Sequence, residues 1–425
     1  MTRRHRDLSR REAIALLGAA ALTPLVRSAR RGFAPDSSGP GFRIRTITVG
    51  TNLRSPSDTA PVEAALASLK RAQRVLTDAG YEVQTIRIAT QPFLEEAGRG
   101  ARADAVAALQ ALDRAVVAEH ALLSIGPALA PDGDDPEFPA WAAELARTTR
   151  NLSFTVRVAS LDRTASPRGV TAAGEAMVAI ARATAGGIGN FRFAAAANVP
   201  AGTPFFPVAY HHGSDAVAVG LESPPLLSAA FAGANTLAEA KQRLTAVLES
   251  RLGPLERLVR QVARQDERAY GGIDVSPAPG KDASIGAAVE ALTGVPFGSP
   301  STLAGCAAIT DVLKSLRVKT CGYSGLMLPV LEDPVLARRA SEGRFSVREL
   351  LLYSSVCGTG LDVVPLPGDT PADQLAALIA DVAALSTKLR KPLSARLFLV
   401  PGKAAGEMAH FDDPYLTDCV VMKAE

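Results

Sequence analysis

Carboxylates carry the strongest chemical signal in this sequence. Asp274, Glu332, Asp333 and Asp362 each stand at or just past the end of a strand-like run. That is where α/β sheets gather their ligands. Two such groups brought together could share a proton, or hold a divalent cation as cofactor. Asp274 and Asp362 are therefore read as acid–base catalysts. Glu332 and Asp333 are read as a speculative metal pair, although Asp333 before Pro334 also reads as a helix N-terminal cap. His211, one of five histidines, closes a Pro-rich apolar loop and is a candidate general base or ligand. Cys357 lies in Cys357-Gly358-Thr359-Gly360, where glycines would let backbone amides approach an anion. Its thiol is a candidate nucleophile, or a buried thiol at a turn that admits only small residues. Arg396 and Lys403 flank a strand end and are candidate anion binders. Asn198 and Ser276 lie in the loops nearest these groups and complete the substrate-binding set.

Groups so far apart in sequence need a scaffold that collects strand ends. From Arg43 onward, β-rich runs alternate with helical patterns. Ile44 to Val49, Tyr81 to Ile88, Ala121 to Ile125, Asn151 to Val158, Phe191 to Ala197 and Asp215 to Leu221 read as strands. Gly272 to Val275, Gly325 to Val330, Leu361 to Leu366, Ala395 to Val400 and Cys419 to Met422 continue the series. Between them Pro61 to Ala79, Asp104 to Glu119 and Thr171 to Thr184 read as helices. Thr236 to Gln265 opens with the capping pair Thr236 and Glu239, carries an apolar stripe, and is expected to kink or split at Pro254. Roughly ten strands with crossover helices imply an α/β fold with a mostly parallel sheet or barrel. A single domain is expected over residues 42–425.

The charge is unevenly placed. Residues 1–31 hold eight arginines against Asp7 and Glu12, a local charge of +6; the whole chain is +3, which leaves the remainder at −3. A slightly acidic body offers no basic face for nucleic acid. Ser9-Arg10-Arg11-Glu12 precedes an apolar run from Ala13 to Leu25, the layout of an export signal. The run is too short to span a bilayer. The expectation is a leader and linker over residues 1–41. It would direct export by the twin-arginine route, to the periplasm or outside the cell, with no transmembrane span in the mature protein; a cytoplasmic protein is the alternative. Cys306, Cys321, Cys357 and Cys419 have no zinc-knuckle or C-x-x-C spacing.

Several longer motifs point to a family. Asn190-Phe191-Arg192-Phe193 leads through Asn198-Val199-Pro200 to Thr203-Pro204-Phe205-Phe206-Pro207-Val208-Ala209-Tyr210-His211. Gly272-Ile273-Asp274-Val275-Ser276-Pro277, Gly325-Leu326-Met327-Leu328-Pro329 and Tyr353 to Asp362 follow in order. From about Arg43 to the C-terminus the chain resembles the DUF711 (UPF0210) family. That resemblance implies a barrel like that of the pyruvate-formate-lyase group: ten strands in two five-stranded halves, mostly parallel within each half. The segment Thr417 to Met422 has no glycine of a radical motif, so the resemblance carries no glycyl-radical mechanism. The reading that results is an enzyme acting on a small polar or anionic molecule by acid–base or metal-assisted chemistry. An exported binding or sensing protein without turnover is the alternative, and the fold admits a homo-oligomer.

Overall fold

The β-branched and apolar runs of the sequence form one sheet because their alternate residues are apolar and need a helical cover. A computed structural model describes residues 41–95, 97–133, 135–160 and 165–424; the arginine-rich leader lies outside them. Strands β1 (Arg43–Thr51), β2 (Ile86–Thr90), β3 (Ala121–Leu129), β4 (Leu152–Ala159) and β5 (Phe193–Ala197) pair in parallel in that order. β6 (Ala216–Glu222) joins β1 antiparallel, and β7 (Ala269–Pro277) lies parallel outside it. On the other flank β9 (Leu393–Val400) joins β5 antiparallel, with β8 (Gly360–Pro367) parallel outside it. The sheet order is thus β7-β6-β1-β2-β3-β4-β5-β9-β8.

The two faces differ in chemistry. On β4, Leu152, Phe154, Val156 and Val158 belong to the main core. There Phe154 stacks between Trp141 and Phe193, with centroids 5.5 and 5.1 Å away. Ser153, Thr155 and Arg157 alternate with them on the other face. β2 repeats the pattern, with Ile86 and Ile88 in the core and Arg87 opposite. Helices cover the apolar face. The other face is covered by the segment 199–211, which brings Phe205 and Val208 into a small second cluster with Ala194, Ala196, Tyr323 and Met327. Thr48 Oγ1 donates to the Pro204 carbonyl at 2.9 Å, and Ser124 Oγ to that of Ala209 at 2.7 Å. These bonds tie the crossing segment to β1 and β3.

Two expectations need correction. The sheet has nine strands rather than ten, and no ladder joins β7 to β8. The run expected as a strand from Gly325 to Val330 makes only a single bridge, Pro329 to Asp362, while Thr320 bridges Ile273 on the opposite edge. Between these bridges the chain turns inward, with Gly322 and Ser324 at φ +62° and +42°, because its amides bond a side chain instead of a neighbouring strand. The helix Leu237–Gln265 also runs unbroken through Pro254. Its Thr236 cap accepts from the Glu239 amide as expected. Among the described residues, no helix is long and apolar enough to cross a membrane.

Candidate functional site

β6–β9 run opposite to β1–β5, and one region of the sheet brings the first residues of β1–β4 beside the residues just after β7, Asp362 near the start of β8, and Ser394 and Arg396 in the first half of β9. A cavity of about 270 Å³ lies there. Its buried charged wall is Arg45, Arg87, Arg396, Glu332 and Asp362, each no more than 8% exposed, and the less buried Arg150, Arg192 and Asp413 also line it. Two of these come from interruptions of the sheet. The β1–β6 register shifts between Ile44 and Thr46, so Arg45 is the extra residue. The β8–β9 register shifts between Leu361 and Val364, so Asp362 and Val363 oppose Arg396 alone. Bulges re-aim side chains. Here the backbone is also held in a costly state, since the β-branched Val363 has φ +45°.

The ion pairs form a chain. Arg45 Nη2 donates to Glu332 Oε2 at 3.0 Å and its Nη1 to Glu222 Oε2 at 3.2 Å. Arg396 Nη2 donates to Glu332 Oε1, and Arg396 Nε to Asp362 Oδ1 at 2.8 Å. Glu332 therefore has two arginines, while Asp362 shares one with Glu332. Burial, and behind it the charge of Glu332, raise the Asp362 carboxyl above the usual range, with Arg396 opposing. Asp362 is a carboxyl that burial pushes toward its protonated form.

Arg87 breaks the pairing rule. It is 7% exposed, and among the described residues its side chain has one hydrogen bond, from Nε to Thr85 Oγ1 at 3.0 Å. No described carboxylate lies within ion-pair distance of its Nη atoms. Its guanidinium stacks over Phe206, 5.0 Å from the ring centroid. Burial, then the nearby Arg45, pull it down to about 9, so it remains a cation at neutral pH. Arg45 and Arg396 are likewise stacked, on Tyr415 and Phe191. Tyr323, Thr359 and Ser394 add hydroxyls to the wall. Tyr323 Oη donates to Ser394 Oγ at 2.7 Å.

Of the sequence-derived candidates, only Asp362, Glu332 and Arg396 meet in this cavity. The expectation that Asp274 and His211 share it is corrected by their bonding. Asp274 is fully buried and accepts from Ser276 Oγ at 2.6 Å and from the amides of Ser276, Tyr323 and Ser324 at 3.1, 2.8 and 2.9 Å. It is the latch that pulls the 321–325 turn inward, and Ser276 braces it while accepting from the Gly325 amide. Asp333 caps two helices at once. It accepts from Ser284 Oγ and from the amides of Ile285 and Gly286 at the start of Ile285–Thr293. It also accepts from the amides of Val335 and Leu336 in Pro334–Ser341. With its lone pairs so used, and those of Glu332 given to arginines, the two make a poor cation pair. Among the described residues no three metal-ligating side chains cluster.

His211 packs over Gly50 of β1, its Nε2 3.1 Å from the Gly213 carbonyl. A Cβ on Gly50 would stand 2.2 Å from His211 Nδ1. Gly50→Ala is therefore expected to cost about 2 kcal/mol in urea unfolding, as overpacking does; an unchanged midpoint would show that the imidazole moves freely. Cys357 is a core residue at 1% exposure, and its carbonyl accepts from Lys391 Nζ at 2.7 Å. Lys403 lies outside the cavity lining. Asn198 lines a different cavity, beyond Val208. Sequence reasoning missed Arg45, Arg87, Tyr323 and Tyr415. The signal for Arg87 was a charged residue between Ile86 and Ile88, which in one strand reads as a solvent face.

The comparisons agree with one another. The family model described as Uncharacterised ACR (DUF711) matches residues 39–412. A UPF0210 protein of Pyrobaculum islandicum is 34% identical over 386 residues, 85% of this chain and 83% of the relative. One from Desulforudis audaxviator is 30% identical over 400 residues, 87% of this chain and 88% of its own. One from Bifidobacterium longum subsp. infantis is 33% identical over about half of each chain. The match runs from β1 through β9 and takes in Arg45, Arg87, Glu332, Asp362 and Arg396 of the arginine cavity, and the chain belongs to the DUF711, or UPF0210, family.

Proposed function

We propose that this protein is an enzyme whose arginine-lined cavity binds a small anion, a carboxylate or phosphate compound, and that Asp362 exchanges a proton with it. One observation carries the reading: Arg87 is a buried cation lining the cavity, with no ion pair to a carboxylate among the described residues. Isolated buried charge is costly, and an anionic ligand supplies the partner. Arg396, held between Glu332 and Asp362, orients the acid. Phe191, Phe206 and Leu122 give the ligand an apolar wall and exclude water. A volume of about 270 Å³ suits a metabolite-sized molecule.

The pH dependence follows from Asp362. Burial raises its carboxyl, so its proton persists to higher pH than on an exposed aspartate, and anion affinity is expected to fall as pH rises through its titration. Asp362→Asn fixes the neutral form. In a thermal-shift screen of small carboxylates and phosphate esters, the variant is expected to bind the selected ligand without the fall in affinity that wild type shows as Asp362 titrates, and to lose turnover. A variant with the wild-type pH profile would remove Asp362 from the reaction. Binding with no turnover in the wild type would favour the binding-protein alternative.

The same proposal takes the two halves of the sheet as curling into a barrel-like wall. Single bridges on both outer edges and the Tyr323–Ser394 bond across them support this. It also places the protein outside the cytoplasm, carried by the Arg10-Arg11 leader. Replacing both arginines by lysine is expected to leave the protein in the cytoplasm on cell fractionation; unchanged export would refute the twin-arginine route.

A further inference from the structure

Ser153 lines the arginine cavity, but the next inward residues of β4, Thr155 and Arg157, line a second one of about 200 Å³ at the opposite end. This end carries the last residues of β3, β4 and β5, and Val208 of the crossing segment borders both cavities. Two residues lining the second cavity each carry a buried polar atom without a partner among the described residues: Thr155 Oγ1 and Asn198 Oδ1. Thr155 is 0% exposed. The Asn198 amide is fixed in orientation. Its Nδ2 donates to Ser386 Oγ at 2.8 Å, and Ser386 spends its own proton on the Lys391 carbonyl at 2.6 Å, so Ser386 accepts from Asn198. Oδ1 is left as an acceptor without a donor among the described residues. The backbone here has φ +54°, held by the Asn198 amide donating to the Ala159 carbonyl at 3.0 Å. Buried polar atoms are nearly always bonded in folded proteins, and two orphans in one small cavity call for a ligand.

The charge of this cavity differs from that of the first. Arg157 is neutralised by Glu95, Nε to Oε1 at 2.8 Å. Tyr210 Oη donates to the Val199 carbonyl at 3.1 Å. What is on offer is an acceptor at Asn198, a hydroxyl at Thr155 and apolar walls from Pro127, Ala196 and Val208.

We infer that this second cavity binds a small neutral molecule with neighbouring hydroxyl or amide groups, one donating to Asn198 Oδ1 and another meeting Thr155 Oγ1. The site stands independently of the anion reading. Its test uses the full chain, with erythritol and acetamide as probes, melting temperature and the Val208 methyl resonances as readouts, and Thr155→Val and Thr155→Ser as variants. Thr155→Val removes an unpaired buried hydroxyl without changing shape, which is neutral to stabilising; without probe it is expected to melt about 2 °C above wild type. One or both probes are expected to shift the Val208 methyls saturably in wild type and in Thr155→Ser, and about tenfold more weakly in Thr155→Val. A Thr155→Val protein that melts below wild type would overturn the inference. So would the absence of a saturable shift with either probe up to about 100 mM, a range that covers affinities of only a few kcal/mol.

Discussion

Arg87→Met is expected to weaken anion binding by about 100-fold or more while leaving the ligand-free protein as stable as wild type or more so. Truncating one partner of a buried charge pair costs about 2–5 kcal/mol in binding, because the other charge is left unpaired; each 1.4 kcal/mol is about tenfold. The stability half of the expectation separates this arginine from an ordinary structural one. Arg45 and Arg396 bond carboxylates, so removing either strands Glu332 or Asp362. Among the described residues the Arg87 side chain bonds only Thr85, and a methionine of similar length keeps its packing on Phe206 without the cost of an isolated charge. Isothermal titration and urea unfolding of the same variant read both halves. A variant that unfolds several kcal/mol more easily, or binds anions unchanged, would show that Arg87 serves the fold alone.

Asp333→Ala should have the largest effect on stability, about 3–5 kcal/mol. Its carboxylate accepts five hydrogen bonds from two helix starts. One lost cap costs about 0.5–2 kcal/mol, and each buried donor left unpaired adds about 1–3 kcal/mol. Asp333→Asn retains one good acceptor and should lose about half as much. Anion affinity should survive both changes in whatever fraction remains folded, since Asp333 faces the helix ends. Loss of affinity at unchanged stability would return it to the site.

These two residues show what the sequence made legible. The α/β class, the long capped helix at Thr236 and the family could be read from alternation, capping pairs and motifs in series. Asp362, Glu332 and Arg396 were named as residues at strand ends, but Asp362 and Arg396 lie inside β8 and β9, where a bulge places them opposite each other. Asp274 stood in the same kind of place and proved to be a latch, because what decides its role is the Tyr323 and Ser324 amides, 49 and 50 residues away in sequence. Arg45 and Arg87 were passed over because period-two alternation names two faces without saying which meets water. Here neither does: helices cover one, and the 199–211 segment covers the other. The bulges that aim Arg45 and Asp362 leave no compositional trace, since neither Ile44-Arg45-Thr46 nor Leu361-Asp362-Val363 contains a glycine or proline to mark them. The expected tenth strand failed for a related reason. Gly325 to Val330 has strand composition, but Asp274 had already claimed the amides just before it.

The central claim is that an anion completes the charge of Arg87, and the most direct measurement is anomalous diffraction from crystals of the full chain soaked in selenate or bromide. The account predicts an anomalous peak within hydrogen-bond reach of the Arg87 Nη atoms, inside the wall formed by Arg45, Arg396 and Phe206, and its loss in Arg87→Met crystals. No peak there, with the Arg87 guanidinium turned onto a protein carboxylate, would contradict it.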